Sequence, residues 1–207
     1  MTNNLDFVYY ARPPREPGLP TLLLLHGTGG NERSLLPLAD AVAPGAGILS
    51  PRGKVLEHGM PRFFRRLSEG VFDLPDLHAR TQELAAFVEA EMAATSLDAT
   101  NLIALGYSNG ANIAGSLLLA YPALLRGAIL FRPMAPFEPD QLPNLGGRRV
   151  LITAGEYDRM VPFAQARHLA DLLRSAGAEV TDHLLPADHG LTDVDLSLAR
   201  EWLIPPS

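Results

Sequence analysis

The sequence predicts an α/β fold, a mostly parallel twisted sheet with helices on both faces, built as one domain over residues 1–207. Three observations carry that expectation. Short apolar runs with strand character recur along the chain, and segments with helical spacing separate them, the alternation expected of a parallel sheet covered on both faces. No linker divides the 207 residues, and 47% hydrophobic against 19% charged residues suits a chain that buries one sizeable core.

Taken in order, residues 7–11 read as an antiparallel edge strand, cut off by Pro13, Pro14, Pro17 and Pro20, which demand a loop. Apolar strand runs follow at 21–26, 48–51, 102–107, 128–131, 149–154 and 180–185. Residues 76–96 place Leu77, Leu84, Val88 and Met92 along one helical face. Ala166, Leu169, Leu173 and Ala176 do the same ahead of Gly177, a C-cap residue. The last helix spans 192–203, with Leu191, Val194, Leu198 and Trp202 as its stripe and Thr192 and Asp195 spaced as a capping box. Residues 51–75 show neither period and form a long excursion at the carboxyl end of the sheet, where ligands bind in open α/β folds. Only residues 132–148 separate the strands at 128–131 and 149–154, and Pro133, Pro136, Pro139 and Pro143 exclude a helical lid there.

Composition narrows the function. Seventeen Lys and Arg against 23 Asp and Glu leave a net charge of −6 with no basic tract, so a nucleic-acid partner is not expected. Without cysteine there is no disulfide framework, thiolate nucleophile or thiolate metal site. The N-terminus has no basic region leading into an apolar one, and the aliphatic run Leu22, Leu23, Leu24, Leu25 is far short of the ~20 residues that span a bilayer. The expectation is a soluble cytoplasmic protein with no membrane span, free to be a monomer or a homodimer.

The strongest chemical signal is Gly106-Tyr107-Ser108-Asn109-Gly110, between a strand-like run and a helix that opens on small residues. That context suits a nucleophile elbow, whose outer glycines let the turn tighten so that the serine Oγ stands clear of the sheet. The plainer alternative is a tight βα turn with Ser108 as helix N-cap. A second glycine cluster, His26-Gly27-Thr28-Gly29-Gly30, ends an earlier strand. Glu32 stands where a dinucleotide fingerprint needs glycine, and no Gly-Lys-Ser/Thr follows, so phosphate cradling is a poor explanation. The turn suits an oxyanion hole, with Thr28 N–H as one donor and Asn109 N–H, beside the serine, as the other.

A serine hydroxyl needs a histidine base, itself oriented by a carboxylate. Asp158 and His189 lie just past two later strand runs and would meet Ser108 at one sheet edge; Glu156 and Asp182 are rivals for the acid and His183 for the base. His26 reads as a residue that stabilises its own loop, and His58, His78 and His168 as surface residues.

The segments HGTGG, GYSNG, GEYDRMVP and ADHG together resemble the α/β-hydrolase superfamily, within it the phospholipase/carboxylesterase family that includes acyl-protein thioesterases. The PRG, PRFFRR and EGVFD segments resemble a bacterial subgroup described as carboxylesterases or quinone-stress-associated hydrolases related to dienelactone hydrolases. The resemblance runs from about residue 21 to 203. It implies Ser108 as nucleophile, Asp158 as orienting acid, His189 as base, Thr28 and Asn109 as oxyanion donors, and no cofactor or metal. Thr28 stands where acyl-protein thioesterases commonly carry leucine, and serine fills the nucleophile position that dienelactone hydrolases fill with cysteine.

Arg62, Arg65 and Arg66 flank Phe63 and Phe64, with Glu69 beyond. One reading makes Phe63, Phe64 and Glu69, together with Met160, the wall of a substrate pocket, with an arginine for an anionic group; Met134 is a further adaptable wall. The other is a solvated helical turn whose aromatics pack into the core. The sequence thus points to a serine carboxylesterase acting on small esters. A thioesterase or lactone hydrolase on the same triad is an alternative, as is a non-catalytic ligand-binding module on this fold.

Overall fold

Alternation within the apolar runs sorts the core into two layers. Along residues 21–25, Leu23 and Leu25 join one buried cluster and Leu22 and Leu24 another, because successive side chains leave opposite faces of a strand. The computed structural model describes residues 6–95, 97 and 99–204. In chain order its elements are β1 (Tyr9–Arg12), β2 (Thr21–Leu25), α1 (Leu36–Val42), β3 (Gly47–Pro51), β4 (Val55–Glu57), β5 (Met60–Arg62), β6 (Arg66–Ser68), β7 (Val71–Phe72), α2 (Leu74–Ala94), β8 (Leu102–Tyr107), α3 (Asn109–Ala120), β9 (Gly127–Phe131), β10 (Arg149–Gly155), α4 (Phe163–Ser175), β11 (Glu179–Leu185) and α5 (Asp193–Leu203).

Seven strands form one sheet in the order β1-β3-β2-β8-β9-β10-β11, parallel except for β1, which runs antiparallel on β3 with Tyr9 opposite Pro51. Residues from α1 and α5, among them Ala39, Val42, Ala199 and Trp202, cover the face of Leu22, Leu24, Leu105 and Phe131. Residues from α2, α3 and α4, such as Val88, Leu117 and Leu169, cover the other. The α/β class and the covered parallel sheet are as expected. No helix is long and apolar enough to cross a membrane among the described residues.

Local departures have local causes. The edge strand begins at Tyr9 instead of residue 7. Helix α2 starts at Leu74 because the Asp73 carboxylate accepts the Asp76 N–H at 3.2 Å and Pro75 sits in the first turn. Its expected end, Ser96, lies outside the described residues. The Thr192 and Asp195 capping box forms, but the stripe drawn through Val194 is wrong: Val194 is 51% exposed, and Asp195, Ala199 and Trp202 face inward. That rotation buries a carboxylate. The excursion is neither coil nor helical turn but two small antiparallel hairpins, β4 with β5 and β6 with β7. Residues 132–148 contain no helix, so no lid crosses the sheet edge from there.

The sharpest packing constraint is where α3 begins. A Cβ on Gly110 would sit 1.9 Å from Leu25 O and 2.6 Å from His26 O, so the helix can start this close to β2 only with glycine there. Gly115, one turn and a half further on, has nothing nearer than 3.6 Å to a built Cβ. Gly110→Ala should therefore cost more than about 3 kcal/mol. Gly115→Ala should be neutral or stabilise by up to ~1 kcal/mol through helix propensity. Urea unfolding of the two variants checks this, and equal stability would contradict the close approach.

Candidate active site

The carboxyl ends of β2, β8, β9, β10 and β11 line up in register, and the loops leaving them bring together residues far apart in sequence. Between β8 and α3 the chain reverses through Ser108 at φ 53° and ψ −117°, a conformation that costs of order 1–3 kcal/mol for a residue with a Cβ. The turn is held on both sides: Ser108 N–H donates to Phe131 O at 2.9 Å, and Ser108 O accepts from Asn112 N–H at 3.0 Å.

His189 Nε2 lies 3.0 Å from Ser108 Oγ, and His189 Nδ1 lies 2.8 Å from Asp158 Oδ2. A carboxylate only accepts, so Nδ1 carries the hydrogen and Nε2 is left as an acceptor for the serine hydroxyl. The other oxygen, Asp158 Oδ1, accepts the N–H groups of Met160 and Val161 at 2.8 and 2.9 Å, which fixes the carboxylate in a side chain without solvent contact. The alternative acids and base take no part in this chain of hydrogen bonds. Glu156 is exposed, Asp182 is bound by Arg174 within β11, and His183 belongs to the body of the same strand.

The loop carrying His189 rests on a residue that sequence reasoning did not single out. Arg132, wholly buried at φ 54°, donates from Nε to Asp188 O at 3.1 Å and from Nη2 to Gly190 O at 2.7 Å, so it holds the carbonyls on either side of His189. The carbonyl of His189 itself accepts the Tyr107 hydroxyl at 3.0 Å. The rest of the guanidinium forks onto Asp195 at 2.8 and 2.9 Å and reaches Thr153 Oγ1 at 2.8 Å. Burial alone would push the Asp195 carboxyl up, but its hydrogen bonds from Arg132, Thr153 and Thr192 outweigh that and hold it below the usual aspartate value.

Thr28 and Asn109 line the same cleft as Ser108. Neither main-chain N–H has an acceptor among the described residues, as an oxyanion hole requires. His26 secures the Thr28 turn. Its Nδ1–H donates to Gly27 O at 2.7 Å, its Nε2 accepts Gly53 N–H at 3.0 Å, and its ring lies against Phe63. Burial lowers its pKa, in keeping with a neutral ring that both donates and accepts. His58, His78 and His168 are at the surface.

The cleft over Ser108 has a volume of about 310 Å³. Glu69, Met134 and Met160 line it. Phe63 and Phe64 do not: both are core residues, Phe63 packed on His26 and Phe64 edge-on to Phe72. The reason is that the aromatic pair lies between the two hairpins, which turn it inward and present Arg62, Arg66 and Phe72 to the cleft in its place. Arg65 stays outside, paired with Asp73. Asn112, in the first turn of α3, also lines the cleft, and sequence reasoning did not single it out.

Comparison with known proteins agrees with this architecture. A family model described as phospholipase/carboxylesterase matches residues 10–204. MhqD of Bacillus subtilis strain 168, which is named as a hydrolase, is 48% identical over 181 residues, 87% of this chain and 90% of that protein. The crystal structure of the Bacillus cereus carboxylesterase superposes with a TM-score of 0.93 at 46% identity, covering 98% of both chains. A structure of YahD with malic acid gives 0.89 at 31% identity, covering 96% of this chain and 98% of that one.

If Arg132 positions the His189 loop, stability and turnover can be separated. Arg132→Met strands a buried carboxylate and should cost about 3–5 kcal/mol. The double variant Arg132→Met with Asp195→Leu should regain much of that in urea unfolding while its kcat on a simple ester stays well below wild type, because the Asp188 and Gly190 carbonyls remain unheld. A double variant with wild-type kcat would show that the loop does not need Arg132.

Proposed function

The chain belongs to the phospholipase/carboxylesterase family and is a hydrolase of carboxylic esters, and we propose that it cleaves small esters through Ser108, His189 and Asp158 by way of an acyl-enzyme. The observation that carries this reading is the unbroken hydrogen-bond chain from Asp158 through His189 to a serine held in a strained turn. As Ser108 Oγ attacks the ester carbonyl, its proton passes to His189 Nε2. Asp158 keeps its hydrogen bond to Nδ1–H and stabilises the imidazolium without taking the proton. The charge that develops on the carbonyl oxygen falls to the N–H groups of Thr28 and Asn109. His189 then gives its proton to the departing alcohol, and water repeats the sequence on the acyl-enzyme to release the acid.

A fluorophosphonate probe tests the nucleophile directly. Wild type should label stoichiometrically and Ser108→Ala not at all, with kcat down by several orders of magnitude and the circular dichroism unchanged. Asp158→Asn should lower kcat by about 10³–10⁴-fold, while Glu156→Gln and Asp182→Asn stay within a few-fold. Labelling of the Ser108→Ala protein would remove the serine from the mechanism.

The β5–β7 hairpin segments, with Met134, Met160 and Val161, wall a cleft of about 310 Å³ over Ser108 without offering a continuous apolar stripe. Each methylene that finds a wall is worth up to ~0.8 kcal/mol. In a p-nitrophenyl ester series kcat/KM should rise over the first few acyl carbons and then fall. A steady rise to dodecanoyl or palmitoyl esters would mean that the cleft opens further than its hairpins suggest.

A further inference from the structure

Two amide side chains in the first turn of α3 border the cleft over Ser108. Asn109 and Asn112 are 2% and 5% exposed, and both line the cleft. Asn109 Oδ1 accepts the Phe63 N–H at 2.8 Å, and Asn112 Oδ1 accepts the Met134 N–H at 2.7 Å. A main-chain N–H can only donate, so each amide is fixed with its oxygen against the backbone and its NH2 group turned elsewhere. Asn109 Nδ2 is buried with no partner, and the Asn112 amide hydrogens have no acceptor among the described residues. Asn109 Nδ2 has no accessible surface, so the Asn112 amide is the donor that a ligand oxygen in the cleft can meet.

Charge narrows the class of that oxygen. Arg62 and Arg66 line the cleft, but Glu57 pairs with both, at 2.8 and 2.9 Å, and Glu69 adds a second carboxylate to the lining. The two cations are matched by two anions, which leaves no surplus positive charge for a carboxylate taken out of water. A neutral acceptor meets the Asn112 amide donor without that penalty. Topology decides which side of the ester it sits on. The leaving group must depart within reach of His189, which follows β11, whereas the hairpins follow β3 on the opposite side of β8. The acyl chain therefore runs toward the hairpins and the asparagines.

Resting on the esterase reading above, we propose that this site selects esters whose acyl chain carries a neutral oxygen acceptor, such as a ketone, a few atoms from the scissile carbonyl. Such an ester and one water give the oxo-acid and the alcohol, with no other reactant.

The test compares p-nitrophenyl 4-oxopentanoate with p-nitrophenyl 4-methylpentanoate, which has nearly the same shape with a methyl group in place of the ketone oxygen. Each kcat/KM is divided by the ester's own hydroxide-catalysed rate to remove intrinsic reactivity. Wild type should favour the oxo-ester by about five- to tenfold. Asn112→Asp keeps the acceptor for Met134 N–H but replaces the donor with an acceptor, and should bring the ratio to about one or below. Equal normalised values in wild type, with fluorophosphonate labelling intact, overturn the acceptor preference and leave the esterase reading standing. A still higher normalised value for p-nitrophenyl monosuccinate overturns the neutral class in favour of a carboxylate. Absence of both turnover and labelling overturns the esterase reading and this inference with it.

Discussion

A guanidinium and a carboxylate without solvent contact lie where β9 ends, and the loop that carries His189 is built on them. Desolvating the two ions costs several kcal/mol each, and the cost is offset only if every donor and lone pair finds a partner. Arg132 has five N–H donors, and Asp188 O, Thr153 Oγ1, both oxygens of Asp195 and Gly190 O accept them. Two of those acceptors are the carbonyls on either side of His189. The position of the imidazole is thus a consequence of satisfying a buried cation, and the loop cannot move without leaving a charged donor unpaired.

The same edge is tied together by main-chain bonds that continue the sheet beyond its strands. Ser108 N–H reaches Phe131 O, Arg132 N–H reaches Thr153 O and Glu156 N–H reaches Leu185 O, at 2.9, 2.8 and 2.8 Å. Each bond joins the first residue past one strand to the neighbouring strand, at its last residue for Phe131 and Leu185 and two residues before its end for Thr153. The strained turn at Ser108, the ion pair at Arg132 and the Asp158 loop are in this way successive steps of one ladder. Strain at one step persists because its neighbours leave the backbone no alternative.

Those parts of the candidate site with short-range signatures could be proposed from the sequence. The elbow needs two glycines around a serine, the Thr28 turn needs a glycine run after a strand, and Asp158 and His189 sit at fixed places past strand ends. Arg132 and Asp195 had no such signature. They are 63 residues apart, Arg132 precedes a proline as a loop residue would, and the capping box already accounted for Asp195. Helical periodicity could not place Asp195 inside because its neighbour Val194 is the apolar one, and only the partner across the sheet end makes the carboxylate the inward residue. Phe63 and Phe64 were misplaced for a related reason. Their direction depends on hairpins whose turns, His58-Gly59 with both φ positive and Gly70 at φ 75°, were legible as glycine turn signals but carry almost no strand pattern on either side.

The hairpins also reach beneath the cleft into the proposed oxyanion donors. Gly53 N–H binds His26 Nε2, Gly29 N–H binds Pro61 O, Arg62 Nη1 donates to Thr28 Oγ1, and Phe63 N–H binds Asn109 Oδ1. The first three fix the Thr28 turn and the fourth fixes the residue after Ser108. His26 can accept from Gly53 only while its ring is neutral, which is the state that burial favours. A repacking of residues 53–63 that enlarged the cleft would therefore shift the two N–H groups proposed as oxyanion donors. Displacements well under 1 Å weaken such donors, because they are useful only at hydrogen-bond distance from the developing oxyanion. Under the proposed mechanism the size of the acyl site and the strength of the oxyanion hole are set by the same few bonds, so that altering one alters the other.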